Sequence, residues 1–142
     1  MKSNLVATVS ATINAPASKV WEALTTPELI KQYLFGTEAV SDWKVGSPLI
    51  FRGEWEGKAY EDKGVILRSE VNKVFSYTYW SSMSGTPDIP ENYLEIAYLL
   101  TESGNQTTLT INQENVPSEE SKTHSEQNWG GVLKGLKDIV EQ

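Results

Sequence analysis

The sequence predicts an α+β fold: one strand, two short helices, about six further antiparallel strands and one long C-terminal helix. Three observations carry this. Two helix-start signals, Asn14-Ala15-Pro16 and Thr26-Pro27-Glu28, stand back to back after a first β-rich segment. From Thr37 to Gln113, β-branched and aromatic residues recur between short turns. After Pro117 the apolar period changes to steps of three and four.

Taken in order, Val6 to Asn14 reads as the first strand. Asn14 is placed to cap the next helix, with Pro16 tolerated in its first turn and Val20, Trp21 and Leu24 at helical spacing. Thr26 is placed to cap a second short helix reaching Tyr33, with Pro27 at its first position and Glu28 at its positive end. Gly46-Ser47-Pro48 punctuates before the strand Leu49-Ile50-Phe51-Arg52, and Trp55-Glu56-Gly57-Lys58 reads as a hairpin turn with Gly57 at positive φ. Tyr60 to Arg68 and Val74 to Trp80 are strands, Ser81 to Pro90 is a loop, and Tyr93 to Leu100 pairs with Thr107 to Gln113 around Gly104. Consecutive strands with short turns predict an antiparallel meander.

In the last helix, Ser118 is the cap and Glu119 and Glu120 suit the positive end. Trp129, Val132, Leu133, Leu136, Ile139 and Val140 form one apolar stripe, expected to lie on the sheet with Trp129 and Leu133 buried. Gly130, Gly131 and Gly135 are poor helix formers, and the expectation is that they allow close packing, the alternative being that they mark a bend. Ser118 to Asn128 is almost wholly polar, so this half should border a wetter region, the open end of a space between helix and sheet.

Composition narrows the function. A length of 142 residues fits one domain, expected to span 1–142 with nothing preceding it. With no Cys, disulfides, thiol catalysis and thiolate zinc sites are excluded, and the one His excludes any site that needs two imidazoles. The net charge of -7 argues against nucleic-acid partners and against anionic lipid. The N-terminal apolar run is broken by Thr8 and Ser10 and is no signal peptide, and no stretch suits membrane insertion. A cytoplasmic, soluble protein without metal or cofactor is expected.

An ordered set of motifs runs through the chain: Asn14-Ala15-Pro16, Val20-Trp21-Glu22-Ala23-Leu24-Thr25 and Pro27-Glu28-Leu29. It continues through Asp42-Trp43-Lys44-Val45-Gly46, Gly53-Glu54-Trp55-Glu56-Gly57-Lys58, Tyr60-Glu61-Asp62-Lys63-Gly64, Thr107-Thr108-Leu109-Thr110 and His124-Ser125-Glu126-Gln127-Asn128-Trp129. On this set the chain resembles the activator of Hsp90 ATPase homologue-like family, within the START-related, birch-pollen-allergen-like (SRPBCC) superfamily. The resemblance implies a helix-grip fold, a curved sheet of about seven strands wrapped on the last helix around an internal cavity. The superfamily includes lipid and hormone carriers, polyketide cyclases and chaperone activators, so it narrows fold more than function.

The aromatic residues are the main candidates for a site. Phe51 and Trp55 face one side if no bulge intervenes; Phe75, Tyr77 and Tyr79 share a parity that Trp80 does not. Parity alone leaves open which set faces inward, and whether the rings fill the space or line it. The leading expectation is a cavity binding a small, largely apolar molecule, fatty-acid-like or aromatic, without covalent chemistry. Its candidate ligand-binding residues are Tyr33, Phe51, Trp55, Tyr77, Tyr79, Asn128 and Trp129. The segments Tyr33 to Gly36 and Ser81 to Pro90 are its candidate lids. The alternatives are a cyclase- or hydrolase-type enzyme using a tyrosine with His124 or Arg52, and a co-chaperone-like module of stress response with a chaperone partner. His124 itself reads as a solvated helix residue. Glu54, Glu56, Glu61 and Asp62, interleaved with Lys58 and Lys63, read as cross-strand ion pairing on a wet face.

Overall fold

The structure, a computed structural model, describes residues 5–34, 36–55, 57–81 and 86–141, the side chain of Trp55 excepted. The elements are β1 (Leu5–Ile13), α1 (Ala17–Thr25), α2 (Pro27–Tyr33), β2 (Glu38–Val40), β3 (Pro48–Trp55), β4 (Lys58–Glu70), β5 (Val74–Tyr79), a 3-10 turn (Pro90–Asn92), β6 (Leu94–Ser103), β7 (Gln106–Val116) and α3 (Glu119–Val140). The strands form one seven-stranded antiparallel sheet in the order β1-β7-β6-β5-β4-β3-β2. The first strand pairs with the last, and α1 and α2 carry the chain across to the opposite edge. This is the helix-grip arrangement. No helix among the described residues is long and apolar enough to cross a membrane.

The helix starts differ in detail from expectation. Ser118 caps α3 as expected, its hydroxyl accepting from Ser121 N at 3.1 Å. Asn14 does not cap α1. Pro16 holds that position, and the first helical amide, Ala17 N, donates instead to the Glu102 carboxylate at 2.8 Å. Asn14 lies two residues too early, where its side chain accepts from the Gln106 amide at 2.6 Å. A long-range carboxylate therefore satisfies the positive end of the helix. Thr26 does occupy the cap position of α2, but through its backbone carbonyl alone.

One face of the sheet carries the core. Ile13, Ile66, Phe75, Ile96, Leu109 and Ile111 meet Val20 and Leu24 of α1, Ile30 of α2, and Leu133 and Leu136 of α3. Trp21 meets Phe75 edge to face, with centroids 6.0 Å apart. The apolar stripe of α3 lies on the sheet, and Val132, Leu133, Leu136 and Val140 are buried. Trp129 is only half-buried, contrary to expectation, because it stands where the stripe runs out over open space. Gly130 and Gly131 are also corrected: both are exposed, and a Cβ on either would meet nothing. Close approach occurs at Gly135 alone of the three, where a Cβ would lie 3.4 Å from Cβ of Tyr33.

Parity on the sheet is settled by burial. Phe75 and Tyr77 of β5 face the core, as do Ile96 and Tyr98 of β6. On β4, the buried positions are Asp62, Gly64 and Ile66. Phe51 of β3 stands opposite Asp62 in an unbroken register, so both address the same face. Gly64 is required by a close approach: a Cβ there would fall 1.5 Å from the Thr78 carbonyl oxygen of β5.

Candidate functional site

Between the concave sheet face and α3 lies a cavity of about 510 Å3. Its floor is built by Phe51 of β3, Asp62 of β4, Tyr77 and Tyr79 of β5, Ile96 of β6 and Gln113 of β7. Trp129 and Val132 form the roof, Asn128 and Ser125 lie one and two turns before Val132 on α3, and Leu34 and Thr37 enter from the α2–β2 connection. The polar half of α3 thus borders the cavity, and Asn128 on its rim is exposed. Alternation explains why one residue in two of each strand arrives here, and the coil of the sheet brings five strands to one space.

Phe51, Tyr60, Tyr77, Tyr79 and Trp129 give the wall an aromatic surface. The Phe51 ring lies 5.9 Å, centroid to centroid, from both Tyr77 and Tyr79, and Trp129 meets Tyr98 edge to face at 6.1 Å. Several of the polar groups are tied to one another. The Tyr79 hydroxyl donates to Oδ2 of Asp62 at 2.5 Å. Thr37 and Tyr60 share a hydroxyl–hydroxyl bond of 2.6 Å. The Trp129 indole N–H donates to Oε1 of Gln113 at 2.7 Å, and the Gln113 amide donates to the Ser125 hydroxyl at 3.2 Å. This last chain fixes α3 to β7 at the cavity wall and sets the rotamer of Trp129.

Burial, and then the Asp62 carboxylate that it faces, raise the Tyr79 phenol well above the usual tyrosine range. Burial also raises Tyr77, helped by Tyr98, whose own phenol is pushed up to about 12 by burial. These phenols therefore stay protonated at any physiological pH. Tyr79 is a fixed donor, and Asp62 is the acceptor it holds in place.

The structure brings Phe51, Tyr77, Tyr79, Asn128 and Trp129 to one wall. It does not bring Tyr33, which is corrected: that ring is packed in the core beside Leu24 and Ile30, and its hydroxyl donates to the Ala23 carbonyl at 2.8 Å. Trp55 ends β3, and its side chain lies outside the described residues. So do Phe35 and residues 82–85 of the two segments expected to act as lids. Neither His124 nor Arg52 lines the cavity. His124 is exposed on α3, 4.0 Å from Glu120, and Arg52 sits on the outer sheet face, bonded to Glu61 at 2.9 Å.

The wet-face reading of the acidic cluster holds for Glu61 but fails for Asp62, which is 7% exposed. Lys63 pairs with Asp88 at 2.6 Å. Sequence reasoning also missed Thr37, Gln113 and Ser125. A signal existed for Asp62: it shares parity with Ile66, so placing Ile66 in the core places Asp62 on the inner face.

The profile of the family described as "Activator of Hsp90 ATPase homolog 1-like protein" matches residues 14–141. The chain belongs to that family. Among solved structures, this family member is similar to ChR145 from Cytophaga hutchinsonii, known in solution, with 47% identity, coverage of 99% of this chain and 97% of the other, and a TM-score of 0.86. It is similar in fold to the Aha1 dimer from Colwellia psychrerythraea, at 21% identity, 96% coverage of both chains and a TM-score of 0.76. The fold is shared as well with DynU16, a protein in the dynemicin biosynthetic locus, at 16% identity and a TM-score of 0.81, over 99% of this chain and 48% of that one. No curated protein matches the chain.

Proposed function

We propose that this member of the Hsp90 ATPase activator homologue-like family binds a small, largely apolar molecule in the cavity between the sheet and α3. One observation carries the reading. A space of about 510 Å3, walled by Phe51, Tyr77, Tyr79 and Trp129, is of the size and character of ligand sites. Rings that only filled a core would close it. The Asp62–Tyr79 pair and the Gln113–Ser125 pair supply the few polar groups that orient an occupant. By analogy of fold alone, DynU16 and its biosynthetic locus support a small-molecule occupant. The chain acts as one domain, in the cytoplasm on this reading.

Native mass spectrometry of protein isolated from its own cells tests this. The expected result is a retained small molecule, released on acid denaturation. Bare protein that also fails to take up an apolar dye before unfolding would refute the reading.

A second reading, acid–base catalysis in the same cavity, is favoured by the Asp62–Tyr79 contact. A phenol that stays protonated, bonded to a buried carboxylate, is a donor and acceptor pair beside an apolar space. The family description supports a chaperone partner as well; neither reading requires the other.

A further inference from the structure

The chemistry of the cavity wall narrows what it can hold. Resting on the reading of an open ligand cavity, we propose that the occupant is an aromatic molecule, neutral or cationic, that carries a hydrogen-bond donor, and that anionic ligands such as fatty acids are refused.

Three observations converge on this class. The first is shape and surface. Phe51, Tyr77 and Tyr79 on the floor face Trp129 on the roof, so a flat ring finds π-faces and edges on both sides. Such walls favour aromatic partners over a flexible alkyl chain, and their negative faces attract positive charge.

The second is the sign of the charge. Asp62 is a buried carboxylate on the floor, and none of the described residues lining the cavity is Lys, Arg or His. An anion entering here would leave water, meet a like charge and find no cation to pair with it. The nearest cations in sequence are committed elsewhere. Arg52 points to the outer face and bonds Glu61, and Lys63 bonds Asp88. The net charge of -7 adds to the barrier that an anion meets on approach.

The third is the balance of donors and acceptors. The Trp129 indole N–H is taken by Gln113, and the Tyr79 hydroxyl is taken by Asp62. Two of the wall's strong donors are thus spent within the wall. A phenol or an amine, which brings its own donor, suits a carboxylate wall better than a ligand that only accepts.

Three probes of one size and different charge test the proposal on the unmodified protein: naphthol, naphthylmethylammonium and naphthoate, titrated at neutral pH by tryptophan fluorescence and calorimetry. The expected order is naphthol and naphthylmethylammonium ahead of naphthoate, with naphthoate weaker by about tenfold or more, the effect of roughly one pKa unit of charge interaction. In Asp62→Asn that gap should shrink, with the ammonium probe losing affinity and naphthoate gaining. Naphthoate binding as tightly as naphthol to the unmodified protein overturns the charge selection while leaving the cavity reading intact. Failure of all three to bind overturns the cavity reading itself. The comparison among probes on unmodified protein stands even if Asp62→Asn does not fold.

Discussion

The hydroxyl of Tyr79 on β5 donates to the carboxylate of Asp62 on the neighbouring strand β4, 2.5 Å away, where both line the cavity floor. This contact places a carboxylate beside the aromatic rings of the wall and keeps the phenol protonated. Removing the donor while keeping the ring should be costly, since a buried carboxylate then loses a partner. Tyr79→Phe is expected to lower stability by about 1–3 kcal/mol in a urea melt. A loss near zero would mean that water replaces the hydroxyl and that this end of the cavity is wet.

Buried tyrosines make stability fall at alkaline pH. Tyr33, Tyr77, Tyr79 and Tyr98 all have phenols raised above the ordinary value of about 10. For a group with a raised folded pKa, the stabilisation is complete below the unfolded pKa and is lost as pH climbs toward the folded one. For Tyr98 that window runs from about pH 10 to about 12. Each such tyrosine should remove about 1.4 kcal/mol per pH unit within its window. Melting temperature followed from pH 8 to 12 should be flat at first and then drop steeply. Tyr98→Phe should soften the slope.

The glycines of α3 and β4 should respond in opposite ways. Gly130→Ala and Gly131→Ala place a methyl in open space on an exposed helical face, and each is expected to stabilise by about 0.5–1 kcal/mol. Gly64→Ala drives a methyl into the Thr78 backbone oxygen, and the β4–β5 pairing must shift. It is expected to cost about 3 kcal/mol or more, the upper end of overpacking effects. Thermal melts of the three variants decide the matter.

Trp129 ties α3 to the sheet by its ring and its N–H together. Trp129→Phe should cost about 1–2 kcal/mol, since Oε1 of Gln113 loses its donor. Because the ring is only half-buried, Trp129→Ala should cost less than the roughly 3–5 kcal/mol of a fully buried Trp. Chemical denaturation of both variants checks the two values.

Element order and type were legible in the sequence because each element carries its own period and its own punctuation. The step from alternation to helical spacing after Pro117 marks α3, and Gly57 and Gly104, at φ +81 and +62, mark two of the hairpins. What was not legible depended on contacts distant in sequence. The α1 cap is Glu102, 85 residues from the amide it accepts, so no local signal could replace Asn14 with it. Strand parity gave two sets of rings and no means of choosing until the helix was laid on one face. Asp62 was obscured by the opposite signal, since flanking Lys and Glu suggest a wet surface while alternation puts every second residue inside. Tyr33 ends α2 next to Leu34 of the cavity wall, but its ring packs in the core and its hydroxyl is held by the Ala23 carbonyl, a contact that its place in the sequence does not announce.

The occupancy of the cavity is tested most directly by an NMR titration of labelled protein with naphthol. The expected result is saturable shifts confined to the Trp129 indole N–H, the Gln113 side-chain amide and the amides of Phe51, Asp62, Tyr77 and Tyr79. Shifts absent at all of these, or centred on the outer sheet face around Arg52 and Glu61, would contradict a ligand site between the sheet and α3.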